Sequence, residues 1–212
     1  MTADDTDSIG EDGLLAAKLP IVVVSGLPRS GTSLMMRMLE KGGLEVVTDH
    51  VRAADEDNPG GYFEIERVKQ LPKGDVDWLD EAAGKAIKVI SALLASLPSG
   101  HRYQVILMNR ALDEVLASQS KMLARRAVPA AVDDGRLRRL FEEHMVQIRA
   151  WLAERPGFEV LEIDYNRLLS DPEPEIARLQ AYLGRQLDGT SMAAAIDPRL
   201  YRNRASAVLE SG

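Results

Sequence analysis

A glycine-containing segment near the start of the chain constrains the fold more than any other feature of the sequence. The β-branched run 21–24 leads directly into the segment 26–33, and a stretch rich in Met and Leu follows until Gly42. Such a run is typical of a strand buried on both faces, and a glycine commonly marks the end of a helix. The sequence therefore predicts a strand, a tight loop and a helix in direct succession.

The loop has the composition of an anion-binding turn. Gly26, Gly31 and Ser33 fit the spacing G-x-x-x-x-G-x-[ST] that phosphate-binding loops show between a strand and a helix. Glycines let the backbone turn tightly with its N–H groups inward, and a helix beginning at Thr32 adds the positive end of its dipole. Thr32 stands where nucleoside-triphosphate loops have Lys, and the cation is Arg29 instead. We therefore expect this loop to bind an anion without a metal ion.

Four further strand candidates and three helical stretches follow the loop. The strands are predicted at 44–48, 85–90, 103–108 and 158–165, and the helices at 111–126, 136–154 and about 173–184. The segment 50–82 between them is irregular and long enough to be a functional loop. Strands that alternate with helices predict a parallel sheet covered on both sides. We expect an α/β fold: a single-domain, three-layer P-loop architecture with a central, mainly parallel sheet of about five strands.

Composition narrows the class of protein. The 212 residues contain no Cys, which excludes disulfides, Cys-based metal sites and thiol catalysis. Residues 1–18 are polar and acidic, so we expect a disordered tail there and one domain over 19–212. No apolar run has the length of a membrane span, and the net charge of −7 gives nucleic-acid binding no support. We therefore expect a cytoplasmic protein that binds neither membranes nor nucleic acids.

Three segments resemble the signatures of one enzyme family. Residues 27–35 read L-P-R-S-G-T-S-L-M, Arg110 ends a predicted strand and Ser118 follows it eight residues later, and 164–172 read D-Y-N-R-L-L-S-D-P. Together they resemble the sulfotransferases, which transfer a sulfuryl group from 3′-phosphoadenosine 5′-phosphosulfate (PAPS). The loop is most similar to the P-R-S-G-T form of the tyrosylprotein and many bacterial members. The likeness covers most of the chain.

The resemblance implies how the donor would be held. The loop amides and hydroxyls would bind the 5′-phosphate, and Arg29 would stabilise the charge that develops on the bridging oxygen. Arg110 and Ser118 would bind the 3′-phosphate, because the planar guanidinium matches phosphate oxygens. No metal is expected, and the product would be adenosine 3′,5′-bisphosphate. The donor-binding residues would be Gly26, Pro28, Arg29, Ser30, Gly31, Thr32, Ser33, Arg110 and Ser118.

The Arg110 assignment has a structural alternative. Arg110 could instead pair with a carboxylate such as Asp113, with Ser118 facing solvent. The Pro that the family usually has two residues after this Arg is Leu112 here, although Glu114 matches the acid often found four residues after it. In the same way, Arg29 could be a solvated loop cation.

A base is also expected near the loop, because the acceptor must lose a proton. Lys88 matches the Lys of the Lys-Thr-His triplet of cytosolic members, but the His is absent; Lys88 could neutralise the sulfuryl group or be an ordinary strand lysine. The tyrosylprotein branch has a Glu about twenty residues beyond the loop cation, and His50 stands 21 positions after Arg29. An ordinary pKa of about 6.5 suits His50 to this role. The other candidates for the base are Asp49, Asp55, Glu56 and Glu64.

The favoured interpretation is a metal-independent sulfotransferase that moves a sulfuryl group in line from PAPS to a hydroxyl or amine of a small molecule or peptide. A P-loop nucleotide kinase or NTPase is one alternative, for which only Asp164 is placed to hold Mg²⁺. A non-catalytic nucleotide-binding module is the other, since the Lys-Thr-His triplet is incomplete. Neither the acceptor nor the oligomeric state is predicted. His101 is expected to be solvated and His144 partly buried. Arg202 and Arg204 are expected in a solvated tail, with the alternative that they replace the family's late basic motif for the 3′-phosphate, which is not recognisable here.

Overall fold

Four parallel strands form the centre of the molecule. The computed structural model describes residues 19–49, 51, 55, 61–125, 127 and 132–197. Within these residues the sheet has the order β2-β1-β3-β4. The predicted acidic tail over 1–18 lies outside the described residues. The strands are β1 (Ile21–Gly26), β2 (Ala86–Lys88), β3 (Tyr103–Asn109) and β4 (Phe158–Asp164).

The helices cover both faces of the sheet, as the alternation of elements predicts. The α-helices are α1 (Thr32–Lys41), α2 (Leu112–Arg125), α3 (Asp134–Ala153), α4 (Tyr165–Ser170), α5 (Pro172–Leu183) and α6 (Gly189–Ala194). One apolar layer packs α1 and α4 to α6 against the sheet, and the other packs α3 and three short 3₁₀ helices. The α/β three-layer fold is therefore confirmed. No helix in the described part of the chain is long and apolar enough to cross a membrane.

The strand predicted at 44–48 is reduced to a single bridge. Val46 pairs in parallel with Ala86, and the Val47 N–H donates to the Ala86 carbonyl at 2.9 Å. The partner strand β2 is only three residues long, because the chain turns into the 3₁₀ helix Ser91–Ser96 soon after Lys88. Such a short partner strand can form few ladder hydrogen bonds, so the described sheet has four strands and not five.

The segment 50–82 is less irregular than its composition predicts. Two 3₁₀ helices, Glu66–Lys73 and Asp77–Ala82, lie in its second half. Their apolar side chains Val68, Leu71 and Leu79 are buried in the same layer as α3. Tertiary packing thus orders a stretch in which Asp, Gly and Pro suggest only a loop.

The carboxyl ends of the four strands meet at one edge of the sheet. In the parallel register, Val24 is opposite Lys88 on β2, Gly26 is opposite Met108 on β3, and Asn109 is opposite Asp164 on β4. Loops that follow these ends converge there, which is the common place for ligands in open α/β sheets. The loop 26–33 lies near the middle of this edge, because β1 is flanked by strands on both sides.

Candidate active site

Two glycines of the loop occupy positions where no other residue fits. Gly26 has φ 149°, and a Cβ there would lie 2.5 Å from Ser30 Oγ and 2.7 Å from the Met108 carbonyl oxygen. Gly31 has φ 101°, and its Cβ would lie 2.3 Å from the Tyr165 ring. Both positive φ values and both contacts require glycine. The loop is therefore packed tightly between β3 and the start of α4.

The loop and the start of α1 carry hydrogen-bond donors that lack side-chain partners in the described part of the chain. Gly31 caps α1 in the left-handed conformation, and among the described residues no side chain caps the helix and no acid stands in its first turn. Ser30 is 1% exposed, and its Oγ has no hydrogen-bond partner in the described part of the chain. A helix N-terminus leaves its first N–H groups without intrahelical acceptors. The loop therefore offers donors and a positive dipole end to an anion.

Arg29 connects the loop to β3 and α2. The residue has φ 70°, which is uncommon for a side chain other than glycine. Its Nε donates to Ser118 Oγ at 2.9 Å, and its carbonyl accepts a hydrogen bond from Arg110 Nη1 at 3.1 Å. The structure thus brings Arg29 together with Arg110 and Ser118, which follow it by 81 and 89 positions in the sequence.

Arg110 is held in a buried network. Its side chain is 7% exposed, and its Nε donates to Glu114 Oε2 at 2.9 Å. Glu114 is itself completely buried, and its Oε1 accepts a hydrogen bond from Asn166 Nδ2 at 2.9 Å. The guanidinium also lies 4.5 Å from the centre of the Tyr165 ring. Burial raises the pKa of Tyr165 above its ordinary value, although the charge of Arg110 opposes this shift.

The alternative for Arg110 holds in part, because Arg110 does pair with a carboxylate, but that carboxylate belongs to Glu114 and not to Asp113. Asp113 forms its ion pair with Arg138 on α3, and Glu114 takes the place beside Arg110. Ser118 does not face solvent either, because it is 5% exposed and accepts the bond from Arg29. The reason is helical geometry: Glu114 and Ser118 are four residues apart on α2 and share its inner face, whereas Asp113 does not.

Lys88 is on the opposite side of the loop. Its side chain is 8% exposed, and its Nζ donates to Ser33 Oγ at 3.1 Å and to the Tyr62 carbonyl at 2.7 Å. Glu64 Oε1 lies 3.7 Å from the same ammonium. These contacts tie the end of β2 to the first turn of α1 and to the segment that precedes the first 3₁₀ helix.

Three other carboxylates near this edge have structural contacts. Asp49 accepts hydrogen bonds from two backbone N–H groups, that of Val51 at 3.0 Å and that of Glu66 at 2.6 Å. Asp55 Oδ1 accepts from the Tyr62 hydroxyl at 2.6 Å. Asp164 Oδ1 accepts from the Arg167 N–H at 2.8 Å and caps α4. Asp164 therefore supports the start of α4, in the position where a kinase would need a metal ligand.

Several sequence candidates have no described placement or a peripheral one. His50, Glu56, Arg202 and Arg204 lie outside the described residues. His144 is partly buried as expected, with its Nε2 2.9 Å from Ser91 Oγ, and burial lowers its pKa. The prediction of a solvated His101 is wrong. Its Nε2 lies 3.1 Å from Asp80 Oδ1 and its side chain is 18% exposed, because the second 3₁₀ helix packs near it.

A cavity of about 520 Å³ adjoins the loop on the side of α3. Its polar lining includes Ser30, Arg110 and Asn109, and its apolar lining includes Leu27 and Phe141. The unpartnered Ser30 hydroxyl and the buried Arg110 network are thus next to open space. A ligand with anionic and apolar parts fits these surroundings.

Sequence reasoning missed two residues that complete the site. Tyr165 packs against Gly31 and Arg110, and Asn166 holds Glu114. Both stand in the third signature segment, 164–172, so their position in that segment is the signal that could have identified them. Tyr62, whose carbonyl accepts from Lys88, stands in a stretch that also resembles bacterial sulfotransferase-like proteins, but the sequence did not assign it a contact with the site.

The fold and the site define an α/β protein with an anion-binding loop at the carboxyl edge of a parallel sheet. A family model described as a sulfotransferase domain matches residues 19–203. The chain therefore belongs to the sulfotransferase family, and it is a transferase whose chemistry is sulfuryl transfer. A search among curated protein sequences gives no match.

Solved structures show the same fold at low identity. Sulfotransferase STF1 from Mycobacterium tuberculosis H37Rv is 17% identical with a TM-score of 0.55, covering 92% of this chain and 76% of its own. Mouse sulfotransferase SULT7A1 complexed with PAP is 16% identical with a TM-score of 0.52, covering 97% and 72%. The sulfotransferase domain from the curacin biosynthetic pathway is 14% identical with a TM-score of 0.52, covering 90% and 83%. At these identities the likeness establishes the fold.

Proposed function

We propose that this protein transfers a sulfuryl group from PAPS to a hydroxyl or amine of a small molecule or peptide. The observation that carries the proposal is the bond from the buried Arg110 guanidinium to the Arg29 carbonyl. It places a fixed cation beside a phosphate-binding loop, as a nucleotide with phosphates at both its 3′ and 5′ positions requires. Membership of the family and the mouse relative's complex with PAP support the same donor.

The loop fits the 5′ end of such a donor. Gly26 and Gly31 keep the backbone free of side chains where an anion would approach, and the first turn of α1 presents uncapped N–H groups. The Ser30 hydroxyl adds a buried donor that lacks a protein partner. Buried polar groups are normally satisfied, so an unpaired hydroxyl here favours a ligand oxygen as its partner. The hydroxyls of Thr32 and Ser33 extend the same set of donors.

Arg110 and Ser118 are assigned to the 3′-phosphate. The guanidinium keeps its orientation through Glu114 and Tyr165, so its charge is fixed in direction before a ligand binds. Arg suits phosphate better than Lys does, because the planar fork matches two oxygens at once. Ser118 contacts Arg29 in this structure, so its hydroxyl joins the two ends of the donor site.

Arg29 and Lys88 supply positive charge where the reaction develops negative charge. PAPS, when bound, supplies an activated sulfuryl group. Arg29 is held in the loop by Ser118 on one side and by Arg110 on the other, so its charge is fixed in place before reaction. Lys88 is held beside Ser33 by two hydrogen bonds. Removal of one such preorganised group costs on the order of 10²–10³ in rate.

A titration of nucleotides tests the donor. By isothermal calorimetry, adenosine 3′,5′-bisphosphate should bind more tightly than ADP or ATP, and its affinity should not change when Mg²⁺ is added. Arg110→Ala should remove the preference for the bisphosphate over ADP, because only the 3′-phosphate distinguishes them at that residue.

The matched control is Arg102→Ala, at the opposite end of β3. Arg102 forms an exposed ion pair with Glu159, so its loss should leave all three affinities unchanged. Tighter, Mg²⁺-dependent binding of ATP would contradict the proposal and favour a kinase. Binding of the bisphosphate without consumption of PAPS, in water or with any acceptor, would favour a non-catalytic module.

A further inference from the structure

We propose that Glu64 is the general base that removes the proton from the acceptor. This inference rests on the proposed transfer from PAPS and assigns the residue that completes it. It is carried by the placement of the Glu64 carboxylate beside Lys88, at the carboxyl end of β2 and next to the loop.

The main chain at Glu64 is fixed against Thr48 and Asp49, which follow the Val46 bridge. Its carbonyl accepts hydrogen bonds from Thr48 Oγ1 and from the Asp49 N–H, both at 3.2 Å. Thr48, Asp49 and Glu64 thus lie together at this edge of the sheet. Glu64, 15 positions after Asp49, is therefore next to the end of the second predicted strand, where a base is expected.

The carboxylate lies beside the reactive part of the loop. Glu64 Oε1 is 3.7 Å from Lys88 Nζ, and the same ammonium is 3.1 Å from Ser33 Oγ. The Glu64 side chain is 27% exposed, so an acceptor can reach it, whereas the side chain of Lys88 is 8% exposed. A general base must come within hydrogen-bond distance of the proton that it removes, and partial exposure beside the loop meets that condition.

The other described candidates have contacts that oppose this role. Both carboxylate oxygens of Asp49 already accept hydrogen bonds from the backbone, Oδ1 from the Val51 N–H and Oδ2 from the Glu66 N–H. Asp55 Oδ1 already accepts a hydrogen bond from the Tyr62 hydroxyl. Lys88 Nζ acts as a donor to two acceptors, the Ser33 hydroxyl and the Tyr62 carbonyl. Glu64 lies 3.7 Å from the Lys88 ammonium, and its side chain is 27% exposed, which leaves it open to an acceptor's approach.

In the proposed step, one proton and one sulfuryl group change partners. The acceptor O–H bond breaks, and its proton passes to a Glu64 carboxylate oxygen while the acceptor oxygen forms a bond to sulfur. The bond from sulfur to the bridging phosphate oxygen breaks, and its electron pair leaves with the bisphosphate, where Arg29 meets the charge. Glu64 then releases the proton to water. Lys88, beside the carboxylate, stabilises the sulfuryl oxygens during the transfer.

The test compares Glu64→Gln with the wild-type protein, using ³⁵S-labelled PAPS and three acceptors: water, 2-naphthol and 4-nitrophenol. Consumption of PAPS with 2-naphthol or water should fall on the order of 10²-fold, since general base catalysis contributes about 10²–10⁴-fold. The loss should be much smaller with 4-nitrophenol at mildly alkaline pH, because this acceptor is already ionised. Calorimetric affinity for the bisphosphate should change less than threefold, because Glu64 does not bind it.

Glu66→Gln is the matched control, since it makes the same change two residues later. Glu66 forms an exposed pair with Lys69 and should leave turnover unchanged. A Glu64→Gln protein that retains wild-type turnover, or one that loses it equally with all acceptors, overturns the assignment. Loss of turnover in His50→Ala but not in Glu64→Gln moves the role to His50. A wild-type protein that never consumes PAPS overturns the proposed function, and the assignment of Glu64 with it. A wild-type protein that consumes PAPS, with a Glu64→Gln variant that does so at the same rate, overturns the assignment alone.

Discussion

Two charged networks flank the loop, and they differ in burial. In the first, here called the Arg110 network, Arg110 pairs with a completely buried Glu114 at 2.9 Å. In the second, the Lys88 network, Lys88 lies 3.7 Å from Glu64, whose side chain is 27% exposed. Both cations bond to the loop, one at the Arg29 carbonyl and the other at the Ser33 hydroxyl.

The difference separates a binding task from a chemical one. A buried ion pair loses its hydration and persists only with close geometry and further hydrogen bonds, which Asn166 supplies to Glu114. Such a pair holds one charge in one place, which suits a phosphate that is always charged. A looser, partly exposed pair lets its carboxylate exchange protons with an acceptor and with water. We therefore expect changes in the Arg110 network to affect stability most and changes in the Lys88 network to affect turnover most.

The largest expected effect is that of Glu114→Gln. The change leaves the buried guanidinium of Arg110 without its counter-charge, which typically costs about 3–5 kcal/mol of unfolding free energy. Urea denaturation followed by circular dichroism measures it. Adding Arg110→Met to the same protein should recover most of the stability but none of the preference for the bisphosphate. A single variant destabilised by less than about 1 kcal/mol would remove the contrast between the networks.

Lys88→Met is expected to act on turnover. Loss of the charge beside Ser33 should lower the rate of PAPS consumption on the order of 10²-fold, which corresponds to about 2.7 kcal/mol of transition-state stabilisation. Stability should change less, because an apolar chain of similar length can replace a buried charge. Lys85→Met is the control, because Lys85 stands three residues before Lys88 and pairs with the exposed Glu45. Equal loss of activity in both variants would show that the effect is not specific to the loop.

The smallest expected effect is that of pH on His144, which contacts Ser91 three residues after Lys88. Burial lowers the pKa of His144 in the folded protein, so the unfolded chain binds the proton more readily. Stability should therefore fall slightly as the pH drops below about 6.5, the ordinary pKa of His. His144→Gln should reduce this dependence in thermal unfolding measured across that range. An unchanged slope would assign the acid sensitivity to other groups.

The loop and the order of its neighbouring elements could be predicted because they depend on local sequence. The strand, the two glycines and the helix start stand next to one another, and their chemistry is readable from spacing. Arg110 and Ser118 were identifiable through the family signature, and the register that sets Gly26 opposite Met108 explains why they reach the loop. The sequence also identifies Lys88 as a candidate site residue. Its pairing opposite Val24, near the end of β1, explains why it lies beside the loop.

The remaining features depend on contacts between distant segments. Around Val46 the chain forms only a single bridge and no strand, because its partner β2 is three residues long. The length of the partner strand cannot be read from local propensity around Val46. The sequence offers Glu64 only as one of five candidates for the base, because its contact with Lys88 joins residues 24 positions apart. The pairing of His101 with Asp80 joins two turns that are 21 residues apart.

The left-handed backbone of Arg29 makes the loop sensitive to a residue 81 positions away. A non-glycine residue with positive φ carries a conformational cost on the order of 1–3 kcal/mol, which surrounding contacts must offset. The bond from Arg110 to its carbonyl is one of those contacts. A conservative exchange of Arg110 for lysine, which preserves the charge, would therefore alter the shape of the turn as well as the phosphate contact. Variation between relatives at these two arginines is accordingly expected to be correlated, with changes at one accompanied by changes at the other.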